Sequence, residues 1–307
     1  MGIKLFVTGT SGYLGSVLAN YLARLPEVDA VTGIDLAPPS TPPAAKVKLL
    51  TMDIRSPSVA EAMAGHDYVI HSAFIVQWFA KMPAAVRDDI NLNGTRNLAR
   101  AAVKNGVRGF LHASSVAAYD IAIARSREAV GEDCPLGKGD TPIYYNNGKA
   151  LAEKIVGETL AGSPVTFSSF RMSYIIGPQN HVTVPVLRKN AALFPGHDPR
   201  AQFTHEDDVA EAFSLAIRRN LSGPFNVVTD DYLRLSEAFK ILGVKPITLP
   251  LWVARAVTFV RWRYFGGPTH PSWVLAATFD CAYSNAKLRA AGWTPRYNSA
   301  DALRTAL

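Results

Sequence analysis

Short apolar runs alternate with longer stretches of helical periodicity along the first half of the chain. Ile3–Thr8 reads as a strand, followed by a glycine-rich turn and a helix over Tyr13–Leu25. Val28–Asp35 and Val47–Met52 read as the second and third strands, separated by a loop over Ala37–Ala44 too rich in proline for either periodic structure. A helix is expected near Ser58–Ala64, a fourth strand at Tyr68–His71, and one long helix over Ala84–Asn105. Phe110–Ala113 is a fifth strand opening onto Ser114 and Ser115; Ile143–Leu160 is a helix and Val165–Arg171 a sixth strand. Strands alternating with helices imply crossover connections and a mostly parallel sheet covered on both faces. The expected fold class is therefore α/β, a doubly wound Rossmann-type sheet, whose ligands sit at the carboxyl ends of the strands.

After Arg171 the pattern changes. Gly177–Asp198 reads as irregular, with prolines at 178, 185 and 195; a helix over Glu206–Asn220 and a strand over Phe225–Val228 follow. The expected division is a dinucleotide-binding core over residues 1–172 and a smaller, mainly substrate-binding lobe over 173–307, with one strand and one helix returning to the core.

Composition changes this picture little. The 307 residues are 48% hydrophobic, enough for a substantial core, and the formal charge is +7. The basic residues are dispersed, with no run resembling a phosphate-tracking stripe, so nucleic acid is not an expected partner. A small-molecule substrate is. Cys134 and Cys281 lack metal-ligand spacing and suggest free thiols in a reducing cytoplasm. No metal site is expected. A strand motif begins at once, so no signal peptide is expected. No uncharged apolar run reaches the ~18 residues of a membrane span. The best stretch, Leu249 to Tyr264, is interrupted by Arg255, Arg261 and Arg263, which do not share one helical face; this argues against a surface-lying membrane helix.

The chemistry-bearing residues fall at strand ends. Thr8 to Gly15 contains Gly9, Gly12 and Gly15, a GxxGxxG spacing between a strand and a helix. Glycine allows the tight turn and close approach of a pyrophosphate, and the helix start offers free N–H groups to that anion. Asp35 ends the second strand, about twenty residues beyond the last glycine, where an acid accepts bonds from the adenosine ribose and repels a 2′-phosphate. Leu36 and Ala37 follow it rather than an arginine, which favours NAD, with NADP possible. Tyr145 and Lys149 are spaced to lie on one face of a helix. An ammonium beside a phenol favours the phenolate and makes it a usable acid or base, and the lysine can also hold the nicotinamide ribose. Gly148 between them is a poor helix residue, a local conflict of the kind found where close approach matters. A hydroxyl at Ser115 can orient a substrate oxygen beside Tyr145.

Together with motifs elsewhere along the chain, these pieces resemble the extended short-chain dehydrogenase/reductase family, which includes NAD-dependent epimerases and dehydratases and 3β-hydroxysteroid dehydrogenases. The added anchors are Met-Asp-Ile-Arg at 52–55, His-Ser-Ala at 71–73, Asn-Leu-Asn-Gly-Thr-Arg-Asn-Leu at 91–98, Ala-Ser-Ser-Val-Ala-Ala-Tyr at 113–119 and Phe-Arg-Met-Ser-Tyr-Ile-Ile-Gly-Pro at 170–178. His-Glu-Asp-Asp-Val-Ala at 205–210 and Ala-Gly-Trp-Thr-Pro-Arg at 291–296 complete them, so the resemblance spans nearly the whole chain. It implies that Ser115, Tyr145 and Lys149 are catalytic and that Ser114 is a structural neighbour. It further implies that Gly9, Gly12, Tyr13, Leu14, Gly15, Asp35 and Leu36 contact the cofactor, with Asp53 and Ile54 at the adenine and Ala73 and Phe74 along the path to the nicotinamide. Family members often dimerise through two long helices, here Ala84–Asn105 and Ile143–Leu160.

Two departures bear on the substrate. Sugar-nucleotide epimerases carry a substrate-contacting Asn where Tyr174 stands, and an Arg for the substrate's diphosphate where Ala201 stands; Arg200, one residue away, is a candidate substitute. The loop Phe74 to Phe79 is apolar, as is a late segment with Trp252, Phe259, Trp262, Phe265 and Trp273, about half of which are expected to be core. The expected activity is hydride transfer between nicotinamide and a secondary alcohol or ketone of a fairly apolar substrate, with Tyr145 as acid/base. The alternative is a redox-neutral nucleotide-sugar epimerase or dehydratase with tightly bound NAD. A non-catalytic dinucleotide sensor is a third reading, opposed by the complete Ser/Tyr/Lys set.

Overall fold

The computed structural model describes residues 2–39 and 41–307. Met1, and Ser40 in the proline-rich loop, lie outside the described residues. Seven parallel strands form the central sheet: β1 Ile3–Thr8, β2 Val28–Asp35, β3 Val47–Thr51, β4 Tyr68–His71, β5 Gly109–Ser115, β6 Thr166–Met172 and β7 Gly223–Val227. Their order is β7-β6-β5-β4-β1-β2-β3. The order reverses direction at β1 and β4, which places a crevice beyond their carboxyl ends. β4 and β5 are buried at every position, as strands covered on both faces must be.

Helices α1 (Tyr13–Ala23) and α4 (Glu206–Arg219) pack together on one face, in a core with Leu5, Val7, Phe170, Phe213 and Trp293. Helices α2 (Gly94–Asn105) and α3 (Tyr144–Leu160) cover the other, over Phe6, Val69, Phe110 and Val156. α4 starts under His205, whose ring accepts the Asp207 N–H, carries three acids in its first turn, and ends at Asn220 in the left-handed conformation (φ 47°).

Two expectations are corrected. The segment 84–105 is not one regular helix: Ala84–Asp88 is α-helical, Asp89–Asn93 is a π turn, and α2 resumes at Gly94. Asn91 accounts for the widening, since its side chain turns aside to accept the Ile75 N–H (2.7 Å) and donate to the Ile75 carbonyl (3.2 Å). Nor is 177–198 irregular throughout, because Thr183–Lys189 is a helix. Pro185 sits in its first turn, where no N–H partner is lost, and Asn180 Oδ1 accepts the N–H groups of Val182 and Thr183.

Beyond β6 a smaller core gathers Ile176, Val184, Phe203, Ala238, Leu242 and Leu303. A long helix α5 (Leu251–Tyr264) follows on the outside. Cys134 and Cys281 are both buried free thiols packed in one cluster around Tyr119, and burial pushes both pKa values up. Among the described residues no helix is long and apolar enough to cross a membrane.

Candidate active site

The loop between β1 and α1 is shaped by what its glycines avoid. Gly9 has φ 76°, and a Cβ there would meet the Ala73 backbone nitrogen at 2.7 Å. A Cβ on Gly15 would run into the Gly9 carbonyl. The strand, the helix and the segment after β4 therefore close together only through glycine. The Gly9 carbonyl accepts the Gly12 N–H at 3.0 Å, and no side chain caps the start of α1. Its opening N–H groups, at Tyr13, Leu14 and Gly15, form an anion cradle. Asp35 sits beside this loop: one carboxylate oxygen accepts the Ser11 N–H (3.0 Å), the other those of Leu36 (2.7 Å) and Ala37 (3.2 Å). The cradle, the acid and the shallow cleft of Thr10, Ser11, Asp35 and Leu50 fit an adenosine pyrophosphate.

The Tyr13 side chain has another partner. Its hydroxyl donates to buried Glu206 at the start of α4, which also accepts the Gln179 N–H at 3.3 Å. Burial and that carboxylate hold the phenol fully protonated. Tyr13 thus offers its backbone to the cradle and its side chain to the junction of the two halves. Asp53 pairs with Arg55 (2.6 Å), which keeps its pKa low, and Arg55 in turn reaches Asp89 (2.8 Å). Buried Ile54 packs against Gly94, where a Cβ would overlap the Ile54 side chain at 2.5 Å.

A buried chain of hydrogen bonds ties β1, β4 and the π turn. Thr95 donates to the Asn91 carbonyl, so His71 Nε2–H must donate to Thr95 Oγ1 (2.8 Å). His71 Nδ1 is then the acceptor for Thr8 Oγ1 (2.9 Å), whose lone pair takes the Ala73 N–H (3.2 Å). Full burial lowers the His71 pKa to about 3, consistent with this neutral tautomer. Ala73 and Phe74 are positioned by this chain rather than by side-chain packing alone.

Tyr145, Lys149 and Ser115 come together as the spacing predicts. Tyr145 and Lys149 stand one turn apart on α3, and Ser115 ends β5. Ser115 Oγ also accepts the Ala117 N–H (3.1 Å), which fixes its rotamer. Phe74 lies edge-on to the Tyr145 ring (centroids 6.0 Å apart), with Lys149 Nζ 4.1 Å from the Phe74 centroid. Gly148 is explained here, because a Cβ there would stand 3.0 Å from the tip of Phe74.

The electrostatics depart from expectation. Burial pushes the Tyr145 pKa up to about 12, against a lowering influence of the nearby Ser115 hydroxyl, which itself donates to the Met172 carbonyl (3.3 Å). Lys149 Nζ donates instead to the Ala113 carbonyl (2.8 Å) and lies 5.9 Å from the Tyr145 centroid. Burial brings its own pKa down to about 7, against the pull of Glu153. The predicted ammonium-induced lowering of the phenol is absent: desolvation dominates at Tyr145, and Lys149 makes no contribution to its shift. Glu153 is committed elsewhere: it accepts from Ser114 (2.6 Å) and from Arg171 (2.6 Å), a buried pair beneath the site. Ser114 is a structural serine in this arrangement.

Over Tyr145 lies a roof of aromatic rings. The Trp273 indole is 4.9 Å from the Tyr145 ring and donates to the Tyr144 hydroxyl (2.8 Å), which donates to the Val76 carbonyl (2.6 Å). Trp78 stacks on His270 (4.5 Å), and the Trp262 indole donates to the Trp78 carbonyl (2.6 Å). Arg87 threads this cluster, 4.2 Å from the Trp78 centroid and 4.7 Å from that of Tyr144. Of the late aromatics none is core: Trp262 and Trp273 serve the roof, while Trp252, Phe259 and Phe265 are exposed. The sequence carries no local signal for Arg87, whose partners lie on separate segments. Tyr174, exposed at the lobe side, stacks on Phe203 (5.4 Å). Arg200 is spoken for, since it donates through backbone and side chain to Asp280 (2.8 Å each) and to the Glu128 carbonyl (3.2 Å).

Residues 5–228 match the NAD dependent epimerase/dehydratase family. The chain belongs to that family. An uncharacterized protein of Mycobacterium tuberculosis is 25% identical over 262 residues, covering 80% of this chain and 67% of its own. The human 3 beta-hydroxysteroid dehydrogenase type 7 is 28% identical over 206 residues, covering 61% of this chain and 54% of its own. Among solved structures, UDP-glucose 4-epimerase of Thermotoga maritima, determined with UDP-glucose, superposes with TM-score 0.76 at 17% identity over 99% of this chain and 97% of its own. The Bordetella bronchiseptica enzyme WbmG, determined with NAD, superposes with TM-score 0.75 at 19% identity over 100% of this chain and 93% of its own. These structures share the fold. The cradle above α1 fits the dinucleotide that gives the family its name.

Proposed function

We propose that the chain is an oxidoreductase acting on a secondary alcohol or ketone of a fairly apolar substrate, with NAD preferred over NADP. The carrying observation is the enclosure of the Tyr145 phenol by the Phe74 and Trp273 rings, while Arg200 is consumed by Asp280. Such a pocket suits a carbon skeleton better than a charged diphosphate. Bound at the cradle, the cofactor supplies or accepts the hydride. Tyr145, with a pKa near 12 and so protonated at neutral pH, donates its proton to the substrate oxygen in the ketone-reducing direction. Ser115 orients that oxygen. Lys149, titrating near neutrality, would hold the ribose hydroxyls. Asp35 beside the loop disfavours a 2′-phosphate.

The redox-neutral epimerase or dehydratase reading is favoured by the family match and by the neighbouring structures. One measurement separates the two: purified protein is denatured and assayed for released NAD(H) or NADP(H) per chain. An empty site that takes up added NADH reversibly, with turnover on ketones or secondary alcohols, supports the oxidoreductase. Near-stoichiometric, non-exchanging NAD together with binding of a UDP- or dTDP-sugar would replace it with the epimerase. We further propose a cytoplasmic homodimer paired through α2 and α3, which pack side by side and leave Val103 exposed. Residues 1–172 would bind cofactor and 173–307 mainly substrate.

A further inference from the structure

Helix α5 touches the rest of the protein along one narrow line. Leu251, Ala254, Thr258 and Trp262 recur at the three-and-four spacing that aligns on one side of a helix, and Ala254 is its one buried residue. Apart from half-buried Val253, the remaining circumference faces outward. Trp252 is 73% exposed, Tyr264 70% and Phe265 78%, and Val257, Phe259 and Val260 are exposed beside them. So many large apolar side chains left in solvent on one helix mark a docking site rather than a solvated face.

The charge pattern says what docks. Between Glu237 and Asp280 the sequence contains no acidic residue, yet Lys240, Lys245, Arg255, Arg261 and Arg263 all fall within it. At ~100° per residue, Phe259, Trp252, Val260, Tyr264 and Val257 form one apolar arc. Arg255 borders that arc on the Phe259 side and Arg261 on the Val257 side, with Arg263 inside it in the last turn. The arginines do not share one face, but two of the three, Arg255 and Arg261, flank the apolar arc and only Arg263 falls within it. Long arginine side chains lie along apolar surface and carry their charge to its rim. A second copy docking through the same face would meet it with like charge, and a neutral apolar partner would leave the cations unmatched.

We propose that α5 and the turn at Phe265 bind an anionic lipid surface. The helix lies in the plane of the interface, with Trp252, Phe259 and Tyr264 at the headgroup boundary and the arginines against lipid phosphates. At 14 residues it is too short to span a bilayer, so it lies on one. This does not depend on the redox reading, since the readout is binding alone.

The full chain is floated with vesicles of phosphatidylcholine, with and without phosphatidylglycerol. Binding is expected only with the anionic lipid, weakening as salt is raised. Trp252→Ser with Phe259→Ser, and separately Arg255→Glu with Arg263→Glu, should each cut partition by about tenfold or more while leaving the circular dichroism spectrum and NADH binding intact. All four positions are exposed, so the variants should fold. Absence of vesicle binding, equal binding to both lipids, or binding that survives both double substitutions overturns the proposal. A dimer that the Trp252/Phe259 pair disrupts would assign the face to a second copy instead.

Discussion

The floor of the cleft and the roof over Tyr145 are built from different materials. The floor is backbone: Gly9, Gly12 and Gly15 remove side chains so that a strand, a helix start and the Ala73 segment can meet, and buried polar bonds through Thr8 and His71 set the path. The roof is side chain: Trp78, Tyr144, Trp262, His270 and Trp273 meet from three distant segments around Arg87. A backbone floor recognises what all its ligands share, and a side-chain roof can be repacked for a different substrate without touching the floor. The proposed chemistry sits at their seam, on Tyr145.

Substitutions can test that division. At the seam, Tyr145→Phe should lower turnover by about 10³-fold while cofactor titration is unchanged, because it deletes one proton and little shape. Retained turnover would remove Tyr145 from the reaction. On the floor, Gly15→Ala should weaken NADH binding and lower stability by ~1–3 kcal/mol, read by titration and chemical denaturation, as its methyl group collides with the Gly9 carbonyl. On the roof, Trp273→Ala should raise KM for an apolar substrate about tenfold with a smaller change in kcat, and leave NADH affinity alone. An equal loss of NADH affinity would mean that floor and roof are not separable.

The lysine offers a test by pH. Below about pH 7 both native and unfolded chains carry the Lys149 proton; above it the native state releases the proton while the unfolded chain keeps it until near 10.5. The cofactor-free protein should therefore gain stability as pH rises through that window, and Lys149→Met should flatten the gain, measured as urea midpoints at neutral pH and about pH 9. The smallest effect is expected at Arg200→Ala: at most ~1 kcal/mol from a partly exposed pair with Asp280, and no change in substrate affinity. A marked rise in KM there would return Arg200 to the substrate site.

The floor was largely legible in the sequence, since glycine spacing between a strand and a helix reports backbone constraints that are local. The six core strands and the shared helical face of Tyr145 and Lys149 followed from periodicity, and Ser115 from its strand end and the family resemblance. Gly148 announced a close approach without naming Phe74 as its cause. The roof was legible only in part: the apolar loop Phe74 to Phe79 and the late tryptophans stood out, but not which rings meet or what joins them. Arg87 reads as an ordinary surface arginine in Ala-Val-Arg-Asp, and only the fold brings Trp78 and Tyr144 to its two sides. The pKa directions were missed for a related reason: a Tyr–Lys spacing conveys proximity, whereas burial, which here decides both groups, is a property of the assembled fold. Glu206 likewise looks like a helix-start acid until Tyr13 is found against it.

The π turn at Asp89–Asn93 works as a phase shifter. An α-helix that ran unbroken from Ala84 to Asn105 would present a single angular sequence of faces, and a stripe chosen to fit the sheet at Leu98 and Ala102 would dictate which residue looks at the roof. One extra residue in the turn advances everything upstream by about 100°, so Arg87 can be aimed independently of the sheet-facing stripe. Removing a single residue from this turn would leave both halves helical, yet swing the guanidinium away from the rings that hold it. In this chain, insertions and deletions inside the turn are changes of angle rather than of length.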